Sequence, residues 1–250
     1  MKRLYALSSA YSLFLALVYA VGQQSPEFML VFTNILFPAT AGVAALFSFS
    51  TLKKYGWTGK AKFSRVWLGF SLGILLWSLG ELTWAVYVLY LDVNPYPSLA
   101  DGFYLGGYVF LFLALTSFFR MFQSGFSKPM LLKTVSVTSV LALVVALSLF
   151  LPIVASSDNS VTLALDIAYP SLDVMLCFFA FAVLLIFIEG EVGKAWFFLT
   201  LGVILNVAAD LLFSYAELQG FYYEGHPFEL LWLWGYVAFL LGFYIHKKEF

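Results

Sequence analysis

Residues 80–108 read GELTWAVYVLYLDVNPYPSLADGFYLGGY. The stretch closes one apolar, aromatic run that carries Glu81 well inside it, turns at Asn94, Pro95 and Pro97, and opens a second run on Asp101. Two such runs, each of about 20 residues or more, are what a bilayer crossing asks for. A carboxylate within one of them then has to be accounted for.

The rest of the chain follows the same pattern. Of 250 residues 62% are hydrophobic and 11% charged, against roughly 25% charged in soluble domains. The composition reads as an all-α, polytopic integral membrane protein. Eight stretches are long enough to cross a bilayer, at about 4–22, 29–51, 66–91, 102–120, 130–151, 163–188, 195–216 and 228–246. The connections are short, so residues 1–250 form a single transmembrane domain with no soluble domain inside it. With these spans, all 13 lysines and arginines fall on one side, and the positive-inside rule puts both termini in the cytoplasm at the cell membrane. The first 22 residues have the basic start and apolar centre of a signal peptide. Removing them would break the alternation of sides, so they read as a retained first span.

Three pairs of segments match internally. NILFPATAGVAALFSFS (34–50) matches DIAYPSLDVMLCFFAFA (166–182), GILLWSLGELTW (73–84) matches GVILNVAADLLF (202–213), and DGFYLGGYVFLFL (101–113) matches ELLWLWGYVAFLL (229–241). The offsets are 132, 129 and 128, pairing Asn34 with Asp166, Pro38 with Pro170, Glu81 with Asp210, Asp101 with Glu229, and Tyr108 with Tyr236. Shared apolar composition explains matching leucines; it does not explain a proline and acids recurring at one depth. The pattern predicts two four-helix repeats, about 1–125 and 126–250. Four is an even number, so they are parallel, related by an axis along the membrane normal.

Glu81, Asp166, Asp173 and Asp210 lie within spans. Facing lipid as charges they would cost about 2.5–3.5 kcal/mol each near the bilayer centre, so they face the interior or water. Asp101 and Glu229 stand at the outer ends of spans four and eight, and no lysine or arginine lies at that depth. Asp166, Tyr169 and Asp173 share a helix face by spacing, and Trp84 follows Glu81 on its face. With Tyr108 and Tyr236 these residues predict an extracytoplasmic acidic and aromatic pocket, a vestibule suited to a small cationic or amphiphilic ligand. Buried acids that merely join helices by hydrogen bonds are the plain structural alternative.

Other chemistries find little support. Cys177 is the only cysteine and sits in an apolar run, His226 and His246 are the only histidines, and no calcium-loop signature is present, so neither a metal nor another cofactor is predicted. The serines lack a neighbouring histidine to activate them. The basic residues are too scattered for a nucleic-acid surface.

GELTW followed by PYPSLADGFYLGGY, with YPSLD at 169–173, resembles the multi-span membrane domains found N-terminal to diguanylate cyclases and sensor kinases and in stand-alone archaeal membrane proteins. The resemblance implies a ligand-binding or sensory membrane module. Since HKKEF closes the sequence without an output domain, such a role implies a separate signalling partner. Gly80-Glu81 and Ala209-Asp210 are, more faintly, similar to the acidic positions of the lysoplasmalogenase family, eight-span lipid hydrolases, although that family has Asp where Glu81 stands. That likeness implies Glu81 and Asp210 as a general acid and base acting on a membrane lipid. A cation- or proton-coupled transporter is a third reading, to which the sequence offers no acid or base in the inner half of the membrane.

Overall fold

The computed structural model describes residues 2–156, 160–187 and 193–249. Among them there are eight helices long and apolar enough to cross a membrane: α1 Lys2–Gly22, α2 Pro26–Tyr55, α3 Lys62–Leu91, α4 Leu99–Gly125, α5 Lys128–Ala155, α6 Ser160–Phe187, α7 Gly193–Leu218 and α8 Pro227–Glu249. The chain is a multi-pass membrane protein. Each helix overruns the apolar stretch that predicts it by a few residues, because helical hydrogen bonding continues until a cap or turn stops it rather than where hydrophobicity ends. Residue 188, the predicted end of the sixth stretch, lies outside the described residues.

The helix ends have local causes. Ser98 accepts from the Ala100 N–H while Asp101 Oδ2 accepts from the Ser98 N–H at 2.6 Å, a capping box that starts α4. Ser127 accepts from the Met130 N–H at the start of α5. At its far end α3 widens into a π turn over Tyr87–Leu91 and stops at Asp92, whose φ of 51° is left-handed. Pro38 and Pro170 both sit inside continuous helices.

Six helices close a ring in the order α2, α3, α4, α6, α7, α8 and back to α2. Outside it, α1 leans chiefly on α8, and α5 chiefly on α6. Two ring contacts are backbone-close. A Cβ on Gly73 would stand 2.6 Å from Leu111 and one on Gly107 2.2 Å from Trp77, so α3 meets α4 through glycine. A Cβ on Gly202 would stand 2.8 Å from Phe239 and one on Gly235 2.1 Å from Asn206, so α7 meets α8 the same way. Small residues let helices approach where lipid offers no hydrophobic drive for association.

The two ends of the bundle differ in chemistry. The α2–α3 and α4–α5 connections and both ends of the described chain lie at a basic end. The α1–α2, α3–α4 and α7–α8 connections lie at the other, where Glu27, Asp92, Asp101, Glu217, Glu224 and Glu229 gather. Toward the basic end the interior is filled by rings. Trp67 and Trp196 lie 5.7 Å apart, with Phe70, Phe118 and Phe243 around them. His246 belongs to this layer, its Nε2 2.8 Å from the Tyr55 hydroxyl and its ring 4.3 Å from that of Trp67. A titratable side chain therefore is buried at the basic end of the interior, where the sequence places it only at the end of a span.

Candidate functional site

Toward the acidic end the ring filling gives way to carboxylates. Glu81 on α3 takes the Tyr236 hydroxyl from α8 at 2.8 Å on Oε1 and the Tyr104 hydroxyl from α4 at 3.2 Å on Oε2. Asp210 on α7 takes the Trp232 indole N–H from α8 at 2.8 Å on Oδ1 and the Tyr108 hydroxyl from α4 at 2.8 Å on Oδ2. Tyr108 also reaches Asp173 Oδ1 on α6, at 2.5 Å, so one hydroxyl bridges the Asp173 and Asp210 carboxyls. Glu81 and Asp210 lie within electrostatic reach across the interior. Neither side chain faces lipid, and both are half-buried.

Hydrogen counting fixes one property of this centre. A tyrosine hydroxyl has a single hydrogen to donate, yet the Tyr108 oxygen lies at hydrogen-bond distance from two carboxyls. When Tyr108 donates to one of them, the other contact needs a proton on the carboxyl. Asp173 is wholly buried and its Oδ2 takes no donor from any described residue. With a proton on one of the two carboxyls both contacts are satisfied, and the group then carries a single negative charge.

The remaining site residues fall into a second layer nearer the acidic end. Asp166 takes the Tyr96 hydroxyl at 2.5 Å. Asp101 spends Oδ2 on its helix cap and takes the Tyr169 hydroxyl at 2.7 Å on Oδ1. Glu229 takes the Gly225 N–H at 2.7 Å and the Tyr222 hydroxyl at 2.9 Å on Oε1, and the Tyr19 hydroxyl at 2.7 Å on Oε2. Asp101 and Glu229 are thus both first-turn acids that reach back to an upstream N–H and take a tyrosine from another helix. Asp166, Tyr169 and Asp173 do share a face, each reaching a different part of the α4 side: Tyr96, Asp101 and Tyr108.

Trp84 shows what the sequence reading missed. Its indole N–H donates at 3.0 Å to Oε1 of Glu224, in the α7–α8 connection, and Oε2 of the same carboxylate takes the Asn34 amide of α2 at 3.0 Å. Burial holds the Glu224 carboxyl above its ordinary value, against the pull of those two hydrogen bonds. Glu224 stands in FYYEGHP, a polar connection with no periodicity to show where its side chain points. Two tyrosines beside it and a glycine after it are the available signals for a packed turn. Tyr104 and Trp232 complete the first layer, and neither is among the residues that the sequence pattern predicts for the pocket.

The walls are aromatic. Phe213 makes ring contacts with Trp84 at 6.4 Å, Tyr222 at 4.6 Å and Trp232 at 5.6 Å, and Trp232 with Phe37 at 5.9 Å. Among the described residues, the donors that reach Glu81, Asp210, Glu224, Asp166 and Asp173 from other side chains are phenols, indoles and one amide. No group of three or more His, Cys, Asp or Glu side chains among the described residues is arranged to hold a metal ion. The chain matches no protein-family model, no curated protein and no solved structure.

Proposed function

We propose that this protein binds a small cationic or amphiphilic ligand, in a pocket formed by Glu81, Trp84, Tyr108, Asp173, Asp210 and Tyr236 with Asp101, Asp166, Tyr169 and Glu229 around it, as a ligand-binding or sensory membrane module. The observation that carries the reading is the charge balance. Three carboxyl groups, Glu81, Asp173 and Asp210, meet inside the bundle, and among the described residues their donors are all neutral, none of them a lysine or arginine. Interior charge of one sign is costly unless a proton or a counter-ion offsets it. A bound cation does so directly, and the half-buried faces of Trp84, Phe213 and Trp232 offer it ring electrons. Mass spectrometry of the purified protein should detect a co-purified cation, and Glu81→Gln and Asp210→Asn should each weaken it by about 1–3 kcal/mol. Equal ligand content in wild type and both variants sinks the reading. A sensory role adds a separate signalling partner, to be sought by cross-linking in the native membrane.

Lipid hydrolysis is the second reading, favoured by one observation: a tyrosine-bridged carboxyl pair that holds a proton is the composition of a general acid beside a general base. The pair joined by Tyr108 is Asp173 with Asp210, whereas the sequence likeness singles out Glu81 with Asp210. Wild type turning over a lysolipid, with turnover lowered about 10²-fold or more by Asp210→Asn, would replace binding by hydrolysis. Transport is third. His246 gives it one titratable group at the basic end, and uptake of a labelled cation into vesicles tests it.

We also read the chain as two parallel four-helix repeats with cytoplasmic termini. Supporting the repeat, the contacts recur with the halves exchanged. Tyr108 of α4 reaches Asp210 of α7 while Tyr236 of α8 reaches Glu81 of α3. Gly73 against Leu111 recurs as Gly202 against Phe239, and Gly107 against Trp77 as Gly235 against Asn206. These pairs follow the 129 and 128 offsets of the sequence match. Supporting the orientation, the basic end of the bundle is the one the positive-inside rule assigns to the cytoplasm.

A further inference from the structure

The α7–α8 connection, residues 219–226, does not simply join its two helices. Glu224 crosses from it to Asn34 on α2 and Trp84 on α3, with a hydrogen bond of 3.0 Å to each. Tyr223 donates to Gln23 Oε1 in the α1–α2 connection, and Gln23 Nε2 returns a hydrogen bond of 2.9 Å to the Gly225 carbonyl. Tyr222 and the Gly225 N–H both engage Glu229. One short segment thus ties α1, α2, α3 and α8 together at the acidic end. Left-handed glycines stand on both sides of its contacts, Gly220 at φ 72° and Gly225 at φ 89°, where the backbone turns without a Cβ penalty.

The tie is unusual in its chemistry. Glu224 is set among other acids: Glu81 of α3, Glu217 of α7 and Glu229 of α8 all feel its charge. Like charges so placed repel, and what keeps Glu224 in position is an amide and an indole. Its seat is also the seat of the pocket wall, because Trp84 contacts Phe213, which contacts Trp232, the donor to Asp210. Releasing Glu224 therefore removes the segment's hydrogen bonds to α2 and α3 and its hold on the wall together.

We propose that residues 219–226 form a lid over the acidic pocket and that Glu224 is its latch, the residue that determines whether Glu81 and Asp210 can be reached from the acidic end. The proposal rests on the pocket reading above. An entering cation offsets the repulsion among Glu81, Glu224 and Glu229 and offers Glu224 a partner better than two neutral donors, so arrival of the ligand and movement of the latch are one event.

Access is measured with methyl methanethiosulfonate, a small neutral reagent that reacts with the thiolate; Glu224→Ala changes the charge beside the thiol as well as the latch, so Trp84→Phe, which keeps that charge, is the variant that reports access alone. A Glu81→Cys variant is made in a Cys177→Ser background and its labelling rate followed in detergent by mass spectrometry; Asp210→Cys serves if the first does not fold. Glu224→Ala and Trp84→Phe should each speed labelling at least tenfold. Glu27→Ala, which removes an exposed acid at the same end of the bundle, should leave the rate unchanged. Measurable labelling at one rate in all variants overturns the lid and leaves the pocket standing. No labelling in any folded variant overturns both, since the carboxylates then face no accessible space.

Discussion

Replacing Tyr108 by Phe removes one oxygen from the middle of the bundle, and the surrounding geometry sets the cost. An interhelical hydrogen bond in a membrane averages about 0.6 kcal/mol, because unfolded helices in lipid find other partners. A hydrogen bond to a charged group is worth about 1.5–3 kcal/mol. Tyr108 serves two carboxyls, Asp173 at 2.5 Å and Asp210 at 2.8 Å. Hydrogen counting makes one of the two contacts charged and the other neutral, so the two magnitudes add to about 2–4 kcal/mol. The hydroxyl is buried, and Phe leaves a void too small and too dry for water to replace it. For a chain of this length about 2–4 °C of melting temperature corresponds to 1 kcal/mol, giving a loss of about 4–16 °C. The assay is thermal unfolding in detergent, with Tyr215→Phe at a lipid-exposed site as a control expected within about 0.5 kcal/mol of wild type. Adding Asp173→Asn should recover part of the loss, because an amide supplies Asp210 with the donor it lacks. A Tyr108→Phe melt indistinguishable from that of Tyr215→Phe would refute the shared-proton account of the centre.

Three further outcomes are expected. Gly107→Ala and Gly235→Ala should each destabilise by about 1–3 kcal/mol through overpacking, since their new methyl groups meet Trp77 and Asn206, whereas Gly102→Ala, with nothing within 4 Å, should be neutral in the same melt. Hydrogen–deuterium exchange of residues 219–226, corrected for intrinsic rates, should be quickest at mildly acidic pH and slow on both sides; a flat profile would count against it. Glu224, held above its ordinary value by burial, favours the closed form only while it keeps its proton, a contribution complete below the ordinary glutamate range and lost as pH rises through the raised value; His226, whose Nδ1 accepts the Phe228 N–H and whose pKa is lowered by burial, favours it only while neutral, a contribution complete above the ordinary histidine range and lost as pH falls, so between the two ranges both are diminished. Cysteines at the exposed positions Asn94 and Lys60 should label from outside and from the cytoplasm respectively, and reversed labelling would invert the orientation; Asn159, an equivalent outer position by sequence, lies outside the described residues.

The eight spans are legible because bilayer thickness is a single strong constraint that 20 consecutive residues must each obey. Interior acids are legible for the same reason: Glu81 and Asp210 cannot face lipid, so their inward orientation follows from the run around them. What each acid touches is a matter of tertiary geometry. Asp101 is half an exception, since SLAD at 98–101 spells a capping box, and reading it would have assigned one of its oxygens to the backbone. Glu229 caps through Gly225, four residues back, a spacing with no such signature. Glu224 escaped because no lipid constrains a connection, so nothing in the local sequence says whether its carboxylate points to water or inward to Trp84.

The distance along the chain between Glu81 and the partner at 2.8 Å bears on how the protein is made. Tyr236 lies 155 residues downstream, and at about 5–20 residues per second a ribosome needs about 8–30 s to deliver it. Throughout that interval α3 is in or near the membrane with a carboxyl group that still lacks its final donor. Tyr104, only 23 residues away on the next helix, arrives within seconds and can hold Glu81 while the rest is synthesised. In the finished bundle its bond is the longer of the two, 3.2 Å against 2.8 Å, so the donor that arrives first is not the one that sits closest at the end.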